Sequence, residues 1–185
     1  YHQTWKTAMN TKNNSQIHHL CRCTGQRFSF EEWCAYTKGH NSNEIQMTFG
    51  DFSYNIHDVC LTPHTPVNWR NKTCLIKVKT SQSPCGRWDS GFDVTLHSCS
   101  SLRGCRFIDD PSEGYATERE SIYAALLTIK DMVGRELNEC SERVEYDDDG
   151  NILHNVSVIP SLRAALKQVD VFCEYFNPTY LTLFD

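Results

Sequence analysis

Apolar residues recur along this chain with two different periods. In Ile45–Phe49, Cys74–Thr80 and Phe92–His97, apolar and polar residues alternate, the period of a strand with one face in a core. Cys74, Ile76 and Val78 share one face of the second segment, and Phe92, Val94 and Leu96 one face of the third. Over about 117–138 the spacing changes. Ile122, Ala125, Leu126, Ile129, Met132, Val133 and Leu137 recur every three to four residues, an apolar helical stripe wide enough to lie on a sheet. Thr117 and Glu120 have capping-box spacing at its start, and Gly134 near its end costs about 1 kcal/mol relative to alanine.

Weaker patterns fill the remainder. Ser29–Cys34 predicts a helical turn, and Arg143–Tyr146 and Ile152–Val158 flank the turn Asp147–Asn151 as a hairpin. Pro160 suits the first position of a second helix at about 160–169, carried by Leu162, Ala165, Leu166 and Val169. A strand through Val171 to Tyr175 follows. Pro63, Pro66, Pro84 and Gly86 are read as turn residues. The expected fold is α+β: a mainly antiparallel β-sheet or sandwich with one firm helix and a second, shorter one. A single domain spans 1–185, with a loop-like segment at 1–20.

Composition changes that picture in one respect. Apolar residues make up 39% of the 185, below the usual share, so the core is modest. Ten cysteines stand at Cys21, Cys23, Cys34, Cys60, Cys74, Cys85, Cys99, Cys105, Cys140 and Cys173. An even number spread along a chain predicts disulfide stapling and an oxidising, extracellular compartment. Each bridge adds about 2–4 kcal/mol by restricting the unfolded chain. Three acceptor triplets for N-glycosylation, at Asn13, Asn71 and Asn155, agree with secretion. The start at Tyr1, without an apolar leader, fits a processed secreted form. No run of about 18 apolar residues is present, so no membrane insertion is expected. The net charge of −5 argues against nucleic-acid binding through phosphate neutralisation and leaves room for a basic protein partner.

The candidate chemistry is sparse. His18, His19, Cys21 and Cys23 are metal-ligating types, but Cys-x-Cys lacks zinc-site spacing, so no metal and no cofactor are expected. Gly-x-Ser-x-Gly and His-Glu-x-x-His are both absent. His57, Asp58, His64 and His97 are the residue types of a secreted ribonuclease, and are read as surface groups. The acidic run Asp147–Asn151 lacks the later glutamate of a calcium loop and is read as a solvated turn. Trp69, Arg70, Arg87 and Trp88 are the candidate binding residues, because tryptophan and arginine are enriched at interface hot spots.

Gly91–Cys99, the loop to Tyr115 and the segment Thr117–Asp131, with Cys173 near the end, carry a resemblance. A strand ending in cysteine, an irregular loop and a short acidic helix in that order resemble the secreted poxvirus glycoproteins that bind cytokines and chemokines. The resemblance implies a disulfide-linked β-sandwich and a protein ligand. It carries no contact residue across. The expected function is therefore a secreted, non-enzymatic binding protein engaging a host extracellular signalling or immune protein. The rivals are a cysteine-rich effector or toxin of a fungus or parasite, and a secreted hydrolase such as a ribonuclease.

Overall fold

A computed structural model of the chain describes residues 19–20, 27–39, 41–142, 145–146, 152–153 and 158–180. Two short strands, β1 (His19–Leu20) and β2 (Arg27–Phe28), pair before helix α1 (Phe30–Lys38). The hairpin β3 (Ile45–Phe49) and β4 (Phe52–Asn55) follows. The central sheet comprises β5 (His64–Arg70), β6 (Leu75–Gln82), β7 (Trp88–Thr95) and β8 (Ser100–Arg103), antiparallel and in sequence order. Helix α2 (Glu118–Glu142), the short pair β9 (Glu145–Tyr146) and β10 (Ile152–Leu153), and helix α3 (Val158–Phe176) complete the chain.

The α+β expectation holds, and its strongest parts are the periodic ones. Glu120 N–H donates to Thr117 Oγ1 at 3.2 Å and Thr117 N–H to Glu120 Oε2 at 3.1 Å, the reciprocal box that starts α2. Ser29 and Glu32 close the same box on α1. One face of the sheet, through Val67, Ile76, Val78, Phe92 and Val94, packs on Ile122, Leu126, Ile129 and Val133 of α2. Helix α3 adds Leu162, Ala165 and Val169 to that core from behind α2. The Arg119 guanidinium donates to the carbonyls of Tyr175 and Asn177, tying the start of α2 to the end of α3. Lys130 and Asp170 pair midway at 2.7 Å.

On the other face lies a second antiparallel layer. It begins with β3 and β4 and continues through Val59–Leu61 and Cys105–Phe107. Tyr54 bridges Cys60, Val59 bridges Arg106, and Cys60 N–H donates to the Cys105 carbonyl at 2.9 Å. This layer covers the upper half of the central sheet, where the Tyr54 hydroxyl donates to the Gln82 carbonyl at 2.9 Å. Gly91 permits the crossing. A Cβ there would lie 2.3 Å from the Arg103 carbonyl oxygen and 2.9 Å from the Cys105 nitrogen.

Several expectations are corrected. Val171–Tyr175 is helical, because Val169, Cys173 and Phe176 extend the stripe of α3 despite their strand-favouring side chains. Pro160 sits two residues inside α3, still in the first turn, where the N–H it lacks would have no helical partner. Pro66 lies within β5, an edge strand with a shifted register between His64 and Val67, and so removes no interior ladder bond. The loop-like segment 1–20 ends in strand β1, which pairs with β2, and residues 1–18 lie outside the described ones. The eight described cysteines, Cys34, Cys60, Cys74, Cys85, Cys99, Cys105, Cys140 and Cys173, are unjoined, so stapling has no support from this structure. Cys21 and Cys23 lie outside the described residues, as do Asn13, Asn155, His18 and Asp147–Asn151.

Candidate functional site

The four residues singled out for binding do not form one surface. Trp69 pairs with Ile76 at one end of the sheet, whereas Trp88 pairs with Gln82 at the other. Six positions along β6 separate these rows, about 20 Å at strand rise. Trp69 and Arg70 also point to opposite faces, as neighbours in a strand must. Trp69 leans on the helical core and Arg70 is exposed on the far face. The other pair holds the protein together. Trp88 and Tyr115 exchange backbone hydrogen bonds at 2.9 Å each, and Arg87 Nε donates to the Glu113 carbonyl at 3.0 Å.

Arg70 belongs instead to the lower half of the sheet face opposite the helices. Register places Arg70 beside Leu75, and Asn68, Lys77, Asp93 and Leu102 side by side across all four strands. Lys79 follows on the same face, next to Gly91. Asn68, Arg70, Thr95 and Leu102 are exposed there, Leu102 by 72%, while Leu75, Lys77, Lys79 and Asp93 are half-buried. At its lower end a shallow cavity of about 240 Å³ is lined by Arg70, Lys72, Leu75 and Thr95. The result is a flat mosaic of four cations, one carboxylate and two leucines on a chain that is acidic as a whole.

Lys77 and Lys79 were legible as outward residues once Cys74, Ile76 and Val78 were assigned inward. Leu102 was not, because Ser100–Arg103 is too short and polar to carry a period. Asn71 closes the turn just below this face. Its Oδ1 accepts from the N–H groups of Thr73 (3.0 Å) and Cys74 (2.8 Å), and its Nδ2 donates to the Ser161 carbonyl at 2.9 Å. A glycosylated amide keeps one N–H, which suffices for the Ser161 bond.

The ribonuclease set is not assembled. His64 Nδ1 lies 3.4 Å from Glu118 Oε1, which also accepts from Thr80 Oγ1 at 2.6 Å. His64 packs on the Phe52 ring with centroids 4.6 Å apart. His57 and Asp58 occupy the turn beyond the opposite end of β4, and His97 follows the far end of β7. The Asn55 side chain shapes that first turn by accepting from His57 and Val59 N–H, which lets Asp58 adopt φ 61°. Among the described residues no group of three or more histidine, cysteine or acidic side chains is arranged to hold a metal ion.

One buried carboxylate stands out below the core. Glu136 of α2 accepts from Ser98 N–H at 2.8 Å and Ser98 Oγ at 2.7 Å, with the Cys140 thiol at 3.8 Å. Burial pushes its pKa up, but the Ser98 donors, with the Cys99 and Cys140 thiols, outweigh burial and hold the carboxyl below its ordinary range. This network pins the β7–β8 connection to the helix. No protein-family model, curated protein or solved structure matches this chain.

Proposed function

We propose that this chain is a secreted, non-catalytic binding protein that meets an extracellular signalling or immune protein on the open half of its sheet. One observation carries the reading. Arg70, Lys77, Lys79 and Leu102 share a rigid, solvent-facing strand surface whose reverse side is anchored by the largest core of the molecule. A flat face with cations on two adjacent strands and an exposed leucine at its other edge suits a ligand presenting an acidic patch, since complementary charge speeds encounter and fixes register. Net charge alone left room for a basic ligand, but a sum over 185 residues conceals a local surplus of the other sign. The cysteines and acceptor triplets support an extracellular setting, and the resemblance to secreted poxvirus glycoproteins supports a cytokine or chemokine as the ligand class.

The test is equilibrium binding of the full chain to a panel of purified secreted signalling proteins at two salt concentrations. Binding by at least one acidic member is expected, weakened at least tenfold by the double change Lys77→Glu and Lys79→Glu, with Leu102→Asp weakening it further. Undiminished binding by these variants overturns the assignment to this face. Failure of the whole panel to bind overturns the reading.

A further inference from the structure

We propose that Cys60 and Cys105 are partners in a disulfide that joins two neighbouring strands of the small antiparallel layer, one leading into the central sheet and one leaving it. The pairing follows from register. Met47 pairs with Tyr54, Tyr54 bridges Cys60, and the Val59–Arg106 bridge puts Cys60 directly opposite Cys105. These four residues form one row across four strands; Tyr54, Cys60 and Cys105 belong to one buried cluster, and half-buried Met47 packs against it. Cys60 and Cys105 are 6% and 1% exposed. Directly opposed residues on one face have Cβ atoms about 4.5–5.5 Å apart, so a small inward movement reaches disulfide geometry.

A third residue confirms the convergence. The Ser81 hydroxyl is buried without a well-formed hydrogen bond, and beside it lie the Tyr54 hydroxyl and both sulfurs. Cys85 is turned elsewhere, its thiol donating to the Ile108 carbonyl at 3.2 Å. Cys74, Cys99 and Cys140 gather around Glu136, which the helix side of the fold holds.

Forming the bond removes two protons and two electrons from the two thiols. The electrons reduce the disulfide of a small-molecule or protein oxidant, which leaves as two thiols after passing through a mixed disulfide. Timing follows from burial. Desolvation raises the Cys60 thiol and pushes Cys105 up to about 12, so neither supplies much thiolate once the cluster has closed. The bond therefore forms while the chain folds, and afterwards it resists reductants that cannot open the layer. It encloses Leu61 through Gly104, which contain β5–β8, so the bond closes a loop around the central sheet. This inference is independent of the ligand-binding reading.

The experiment uses the full chain expressed through an oxidising secretory route, alkylated and digested with trypsin without reduction. The peptide 104–106 is expected to be joined to the peptide 39–70 and released only by reductant. Finding 104–106 alkylated, or joined to any other peptide, overturns the pairing. As a second readout, Cys60→Ser, Cys105→Ser and the double variant are expected to lose the same amount of Tm, on the order of 10 °C, because either change removes the one bond. Additive losses from the two single changes contradict it.

Discussion

The two faces of the central sheet are held by different physics. Against α2 and α3 the sheet buries aliphatic side chains, and Ile76, Val78, Val94, Leu126, Ile129, Leu162 and Val169 are all inaccessible to solvent. Under the small layer the buried set is Phe52, Tyr54, Cys60 and Cys105, with polar Ser81, Ser83 and Asp89 interleaved. The first region is stabilised by the area it removes from water, which grows with every methylene. In the second, buried polar groups are held by hydrogen bonds to backbone and side chains, the Ser81 hydroxyl excepted. Ile108 N–H donates to Ser83 Oγ at 2.7 Å, and Arg106 N–H donates to Asp89 Oδ2 at 2.6 Å. The sheet can thus leave the lower half of one face open, because the helical side alone supplies most of its apolar burial.

That contrast can be broken at the helical side first. Leu126→Ala opens a cavity at a site with no exposure and is expected to cost about 3–5 kcal/mol in denaturant unfolding, with or without reductant. A loss below about 1 kcal/mol would mean that this core is not the main support. On the other side, Asp89→Ala strips the partner from the buried Arg106 N–H and from the half-exposed Arg103 guanidinium, 3.4 Å away. The expected cost is smaller, about 2–3 kcal/mol, since both arginine heads can turn to water. Hydrogen exchange should show that loss concentrated in residues 52–61 and 105–108, and uniform exchange across α2 would argue against two separate regions.

The smallest effect is expected at Glu136. Its folded pKa lies below the unfolded value of about 4.3, so its contribution is complete above that pH and fades as pH falls through the lowered folded value. Stability should therefore decline in acid below about pH 4, and Glu136→Gln, costing about 1–2 kcal/mol at neutral pH, should flatten that decline. An unchanged acid limb in the variant would show that other carboxylates govern it.

Much of this division could be read from the chain. Alternation in Cys74–Thr80 and Phe92–His97 assigned inward and outward faces correctly, and the stripe behind Thr117 located α2 with its cap. Strands β4, β5 and β8 escaped notice because buried Ser53 and Asn55, the Pro66 of an edge strand and the brevity of Ser100–Arg103 each erase the period. The candidate site was half visible. Lys77 and Lys79 follow from alternation, but their meeting with Arg70 and Leu102 depends on which strands are neighbours.

By itself, then, the sequence determined the local periods, caps and inward faces, because these depend on residues within a few positions of one another and on water's rejection of apolar surface. Only the tertiary structure decided that Trp69–Arg70 and Trp88 lie at opposite ends, that Cys60 faces Cys105, and that one half of a sheet face stays open. Those outcomes rest on strand order, register and crossing of distant segments, which arise from the packing of whole elements.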